Sequence, residues 1–264
     1  MISRLNLKGR IALVGGSTQG IGKAIAIELS KLGATIILAA RNKGKLTNVL
    51  GELENSASQN HTIMVADYSN PDEVHDAIKK VMQDYPTIHI IINNTGGPAS
   101  GTALDATLNQ YLSAFKQHLL VNQILLQATA EGMKKEGYGR FINILSTSVK
   151  QPINNLGVSN TVRGAVAQWA KTLANELGSY GITVNNILPG MTRTGRLSSI
   201  LSTRSEKSGR SIEEEEELML KTVPANRFAK AEEIAYAVAF LASPAGSYIN
   251  GINLPVDGGR IGGL

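Results

Sequence analysis

The chain of 264 residues contains no cysteine, which excludes disulfides, thiolate catalysis and Cys-based metal sites. Its four histidines are scattered, and none stands in a close cluster with carboxylates, so no metal is expected. No run is long and apolar enough to span a membrane. The opening residues, Met1-Ile2-Ser3-Arg4-Leu5-Asn6-Leu7-Lys8, lack the apolar core and small-residue cleavage site of a signal peptide, so a cytoplasmic protein is expected. A strong charge is missing too. The net +5 is mild, and its densest spots (Lys79-Lys80, Lys134-Lys135, and Arg41 with Lys43 and Lys45) form no aromatic-interleaved stripe, so no nucleic-acid partner is expected. The length suits one large α/β domain better than two. Internal repeats and low-complexity linkers are absent.

What is present is organised around Gly15-Gly16-Ser17-Thr18-Gln19-Gly20-Ile21-Gly22. The apolar run Ile11–Val14 before it reads as a buried strand. The residues after it, with Ala24, Ile25, Leu29 and Leu32, have helical spacing. Strand, glycine turn and helix together are the context of a dinucleotide fingerprint. The glycines let the backbone approach a pyrophosphate, and the free N–H groups and dipole of the helix start hold that anion.

A second strand is predicted over Thr35–Ala40. A carboxylate at its end would accept from the adenosine ribose hydroxyls and repel a 2′-phosphate. Arg41 stands there instead, followed by Asn42 and Lys43, which favours NADP(H) over NAD(H). The pattern predicts a helix from Lys43 to about Glu54 and a third strand over His61–Ala66, ending at Asp67-Tyr68. The Asp67 carboxylate either caps the next helix or meets the adenine amino group. A helix over Pro71 to about Tyr85 is followed by the β-branched strand Ile88–Ile92, which enters Asn93-Asn94-Thr95-Gly96-Gly97-Pro98. Further expectations are one long helix from Asp105 to about Lys135, a strand over Arg140–Leu145 ending in Ser146, and a helix from about Asn155 to Leu177. A strand over Ile182–Ile187 then leads to Pro189-Gly190. The Ser-, Arg- and Glu-rich stretch from Thr192 to Val223 reads as a mobile lobe over the cleft. In it Ser211 and Glu214 fit a capping box, and Glu213–Glu217 read as a solvated helix. A helix over Ala231–Ala242 and a strand over Gly251–Val256 close the chain. Strands alternating with helices imply an α/β fold with a doubly wound parallel sheet, whose ligands lie beyond the strand C-termini.

Taken together, these motifs resemble the short-chain dehydrogenase/reductase family over essentially the whole chain. Gly16, Gly20 and Gly22 match the family's cofactor glycines, with Gly15 where it usually has Thr. Asp67 matches its adenine-contacting Asp, and Asn93-Asn94-Thr95-Gly96 its Asn-Asn-Ala-Gly motif. Pro189-Gly190 and Thr194 match the loop that holds the nicotinamide carboxamide, and Pro255-Val256-Asp257-Gly258-Gly259 the C-terminal strand and turn. The resemblance implies a single-domain Rossmann fold with seven parallel strands. It also implies a cofactor site on Gly16, Thr18, Gln19, Gly20, Ile21, Gly22, Arg41, Asp67, Tyr68, Asn94, Thr95, Gly96, Arg163, Pro189, Gly190 and Thr194. A homotetramer or homodimer built on the two long helices and the last strand is implied as well.

The resemblance fails at the family's catalytic tetrad, where Ser is followed by Tyr thirteen positions on and by Lys four further, with an Asn on the preceding helix. Ser146 stands at the right strand end, but the Tyr position is Ser159, the Lys position Arg163 and the Asn position His118. A serine hydroxyl is a poorer acid than a phenol, and Arg163 stays charged. Arg163 is four residues after Ser159, on the same helix face, and can clamp ribose or phosphate oxygens. His118, with an ordinary pKa of about 6.5, is the residue suited to proton relay. Lys150 reads as a loop lysine beside this site. Tyr111, Tyr138 and Tyr180 lie in or beside helices, away from the strand ends. The pattern resembles a divergent subgroup likened to 3-oxoacyl-acyl carrier protein reductases. It points to an NADP(H)-dependent reductase of a small-molecule or acyl-thioester carbonyl. Two other readings are a dinucleotide-binding or sensing protein without chemistry, and a site that binds a ligand without dinucleotide.

Overall fold

The computed structural model describes residues 4–263; Met1–Ser3 and Leu264, the ends of the expected single domain, lie outside the described residues. Seven strands form one sheet: β1 (Ile11–Gly15), β2 (Thr35–Ala40), β3 (Thr62–Val65), β4 (Ile90–Asn93), β5 (Gly139–Ile144), β6 (Ile182–Pro189) and β7 (Asn253–Val256). Their spatial order is β3-β2-β1-β4-β5-β6-β7, and every pairing is parallel. The expected α/β, doubly wound, seven-stranded sheet is the one observed.

Both faces of this sheet are buried because consecutive side chains point to opposite sides. Ala12, Val14, Ile36 and Leu38 pack on one side with helices α1 (Gly20–Lys31), α2 (Lys43–Leu50) and α9 (Ala231–Ala242). Leu13, Ile37 and Ala39 pack on the other with α3 (Pro71–Asp84), α5 (Val121–Glu136) and α6 (Gly157–Leu177). The strand order reverses between β1 and β4, where a crevice opens at the strand C-termini.

The boundaries differ from expectation where local chemistry intervenes. The long helix does not begin at Asp105, whose backbone N–H is taken by the Thr102 hydroxyl. It begins as α4 (Leu108–Phe115), set by a capping box of Thr107 and Gln110. A π-helical turn over Lys116–Leu120 then interrupts it before α5. The last long helix starts at Gly157, because Asn155 sits in the left-handed region at φ 60.

The stretch from Thr192 to Val223 is built of α7 (Gly195–Ser208) and α8 (Ile212–Leu220). Leu197, Leu201, Met219 and Phe228 form its own small core. The Ser211–Glu214 capping box is present. The glutamate run is not wholly solvated, however. Glu215 is buried and accepts from Arg204 Nε at 2.9 Å, Ser208 Oγ at 2.7 Å and Arg210 Nη1 at 3.3 Å. These bonds, the one from Ser208 foremost, hold its carboxyl below the usual range. Among the described residues no helix is long and apolar enough to cross a membrane, and no three His, Asp or Glu side chains gather as a metal site.

Candidate active site

The turn after β1 is shaped by close approach. Gly16 adopts φ +57, a region that favours glycine. A Cβ on Gly22 would stand 2.3 Å from the Gly16 carbonyl oxygen and 2.7 Å from Asn94 Nδ2. Asn94 donates to the Gly15 carbonyl at 3.0 Å, tying the end of β4 to the turn. Ser17 turns inward to the Ala39 carbonyl. Gln19 is the N-cap of α1 and caps with no side-chain bond. The first N–H groups of α1 are therefore left open to an anion. Thr18 and Ile21 are half-buried and Gln19 is exposed beside them. Thr194 packs over Gly20 from the lobe side, its Cγ2 3.1 Å from where a Cβ would be.

At the end of β2, Arg41 is exposed and lies 3.8 Å from the Asp67 carboxylate. Asp67 accepts from the Ser69 N–H at 2.9 Å and its hydroxyl at 2.8 Å. These two bonds, with Arg41 behind them, hold its carboxyl below the usual range. Of the two roles open to Asp67, capping α3 is not the one seen: Asn70 is the N-cap, and Asp67 shapes the turn before it. The Tyr68 side chain, expected among the cofactor contacts, is buried in the core, its hydroxyl 3.1 Å from where a Gly15 Cβ would stand. Pro189 ends β6, and the Gly190 N–H after it donates to the Val256 carbonyl at 2.9 Å.

The expected tetrad positions converge at the end of β5. Ser146 caps the short turn Thr147–Val149 and accepts from the Ser148 N–H at 3.1 Å. Arg163, only 9% exposed, crosses from α6 to the strand. Its Nη1 donates to the Leu145 and Ile144 carbonyls at 2.7 and 3.2 Å, and its Nε to Ser159 Oγ at 3.1 Å. Burial, and secondarily Arg196, bring its pKa down to about 10. It still carries its charge at neutral pH.

His118 lies in the π turn, 5% exposed, and its Nε2 has no partner among the described residues. Burial first, then Arg163, lower its pKa to about 3, against an opposing effect of the Gly96 backbone. The ring is therefore held well below its ordinary pKa and is neutral at neutral pH. Thr95 accepts from Gln117 Nε2 at 2.9 Å. Lys150 is exposed and borders an open depression of about 520 Å³ with Gln151 and Ile261. Tyr138 and Tyr180 stand just before β5 and β6, at the opposite end of the sheet from the site. Tyr138 donates to the Ala242 carbonyl, Tyr180 lies under Lys134, and Tyr111 packs beside Ala114 and Val162.

Sequence reasoning missed two features. Arg196, at the start of α7, donates to the Pro98 carbonyl at 3.3 Å, so a lobe cation reaches the loop after β4. Asn93, Asn143, Asn186 and Asn253 form a ladder across β4–β7, each Nδ2 donating to the next Oδ1 at 2.8 Å. At least one asparagine in each of β4, β5 and β6 was the available signal.

Residues 16–260 match the family model described as Enoyl-(Acyl carrier protein) reductase. The chain is 31% identical over 257 residues to the 3-oxoacyl-[acyl-carrier-protein] reductase FabG of Vibrio cholerae, covering 97% of this chain and 98% of that one. It is 29% identical over 253 residues to the NADPH-dependent reductase BacG of Bacillus subtilis, covering 96% and 98%. Among solved structures, L-sorbose reductase from Gluconobacter frateurii, in complex with NADPH and L-sorbose, superposes with a TM-score of 0.93 at 27% identity, covering 99% of this chain and all of that one. On the whole-length family match, the strand order and the glycine turn, the chain belongs to the short-chain dehydrogenase/reductase family.

Proposed function

We propose that the protein is an NADP(H)-dependent oxidoreductase that reduces the carbonyl of a small molecule or acyl thioester. The observation that carries this reading is the cradle at the end of β1, closed against any Cβ at Gly22 and open at the helix N-terminus. Gly16, Thr18, Gln19, Gly20, Ile21 and Gly22 would hold the pyrophosphate, Arg41 the 2′-phosphate, and Asp67 with the Tyr68 backbone the adenine. Asn94, Thr95 and Gly96 would line the middle of the groove, and Pro189, Gly190 and Thr194 its nicotinamide end. Bound there, the nicotinamide supplies the hydride. The printed names of the relatives support the class: one is an NADPH-dependent reductase and another acts on 3-oxoacyl thioesters of a carrier protein.

The chain's own task is to hold the carbonyl oxygen and bring a proton to it. Ser159 Oγ accepts from Arg163, and Ser146 Oγ accepts from the Ser148 N–H. Each serine therefore keeps its own hydroxyl hydrogen to donate. Two such donors on one oxygen stabilise the charge that develops there. Arg163 fixes Ser159 and keeps a single edge, Nη2, free to meet a bound molecule. His118, being neutral, serves as a relay that passes a proton between its ring nitrogens. A second reading, a dinucleotide-binding or sensing protein, is favoured by one observation. Of the expected catalytic residues, His118 titrates far below neutrality and Arg163 far above it.

Fluorescence titration with NADPH and NADH tests the proposal, with Trp169, the sole tryptophan, as energy donor. NADPH should bind more tightly, and Arg41→Ala should weaken NADPH by about tenfold while sparing NADH. Binding of neither nucleotide discards the proposal. Carbonyl-dependent NADPH oxidation that vanishes in Ser146→Ala separates the enzyme from the sensing protein.

A further inference from the structure

Two guanidinium groups meet at the cleft with no acid between them. Arg163 reaches it from α6. Its Nε and Nη1 are spent on Ser159, Ile144 and Leu145. Its Nη2 makes no hydrogen bond among the described residues and stands 3.2 Å from where a Gly97 Cβ would be. Arg196 reaches the next residue from the lobe, its Nη2 on the Pro98 carbonyl. Among the described residues neither arginine forms an ion pair. By contrast Arg193, Arg204 and Arg210, close to Arg196 in sequence, all do.

Arg163 is buried and Arg196 is exposed; a buried cation without a counter-charge is costly, and a second cation facing it adds to the cost. The principal charge acting on Arg163 is Arg196, which disfavours its protonated form. Arginine's planar fork matches a carboxylate, and the charge-assisted bonds so formed are stronger than neutral ones.

We propose that the reductase's substrate carries a carboxylate beside its carbonyl, held by Arg163 Nη2 and Arg196 across the Gly97–Pro98 loop. This rests on the reading of the site as the substrate end of a dinucleotide groove. It narrows the substrate from carbonyl compounds at large to oxo acids. It also gives the lobe a role, because Arg196 arrives with α7, so an anion bridging the two arginines would pin the lobe to the loop after β4.

The test is calorimetry on protein saturated with NADP+, in which no reduction can occur. The probes are 2-oxobutanoate and 2-oxooctanoate, each against its methyl ester. At least one acid is expected to bind about tenfold or more tightly than its ester, and Arg196→Ala should erase that preference while NADP+ affinity holds within about twofold. Acid and ester binding alike overturns the proposal. So does Arg196→Ala weakening NADP+ as much as the acid, which would give Arg196 to the cofactor's phosphates. Failure of NADPH to bind, read in the preceding titration, brings down the reductase reading and this proposal with it. The acid–ester comparison in protein that does bind NADP+ brings down this proposal alone.

Discussion

Gly15 stands where the family usually has Thr, and the structure gives the reason. A Cβ there would lie 2.7 Å from the Asn94 carbonyl oxygen and 3.1 Å from the Tyr68 hydroxyl. That hydroxyl is buried without a partner among the described residues, and burial pushes its pKa above the usual tyrosine range. An unsatisfied buried hydroxyl costs about 1–3 kcal/mol, so Tyr68→Phe should leave stability unchanged or raise it by about 1 kcal/mol in urea unfolding. A fall of that size instead would show that the hydroxyl has found a partner. His118 yields a second prediction, with its sign set by linkage. The unfolded ring takes up a proton below about pH 6.5, whereas the folded ring resists until about 3. Between those values the unfolded state binds more protons. Stability is therefore complete above about 6.5 and is lost as pH falls toward 3. His118→Asn should remove this loss, sparing about 2–3 kcal/mol at roughly pH 4.5, read as a smaller drop in Tm between neutral and acid buffer. Equal acid sensitivity in both proteins would place the His118 ring in water. The sequence shows which residue stands at position 118. It does not show a titration state, which depends on how the π turn buries the ring.

Within the secondary-structure elements, the asparagine ladder and the lobe show how far a one-dimensional reading reaches. Period-two apolar strands and helical stripes are local, so β1, β2, α3 and α9 emerge within a residue or two of their observed bounds. The ladder is not local: Asn143 meets Asn93 fifty residues away and Asn186 forty-three away. Its value is to fix register at the end of the sheet that carries the site, since a one-residue slip would turn every carboxamide to the other face. Asn143→Leu removes both bonds and strands two buried amides, and it should cost about 2–4 kcal/mol in urea unfolding at constant m-value. A cost below about 0.5 kcal/mol would mean that the ladder adds nothing beyond the backbone pairing. In the lobe, five consecutive glutamates look equivalent as letters, and the helical period sends one inward. Which one depends on where α7 lays Arg204, so Glu215 could not be singled out in advance. Glu215→Gln weakens the pairs to Arg204 and Arg210. Hydrogen exchange should then quicken over α7 and α8 while strand amides keep their protection. Unchanged exchange in the lobe would show that its small apolar core suffices.

For the whole molecule, alternation of strand and helix makes the doubly wound sheet legible, and the sheet brings the strand ends together. What alternation cannot convey is the outer surface, where the remaining apolar side chains lie. On α4, Leu108 and Leu112 are 82% and 61% exposed, and their four-residue spacing puts them on one helix face. Leu104, just before that helix, is exposed as well. On α9, Tyr236 and Phe240 have the same spacing and are also exposed, and Tyr248 follows them before β7. Single exposed apolar residues are ordinary, but stripes on two elements are the mark of surfaces that meet a partner. The family resemblance implies association through the long helices and the last strand, and we propose these two stripes as its contact surfaces. Two separate isologous patches give a tetramer, and losing either leaves a dimer held by the other. The protein should therefore sediment as a tetramer. Leu108→Glu with Leu112→Glu should give dimers, and so should Tyr236→Glu with Phe240→Glu, each with the far-ultraviolet dichroism of the parent. A parent that sediments as a monomer at micromolar concentration would refute this, and parental size in either double variant would clear that stripe of any part in assembly.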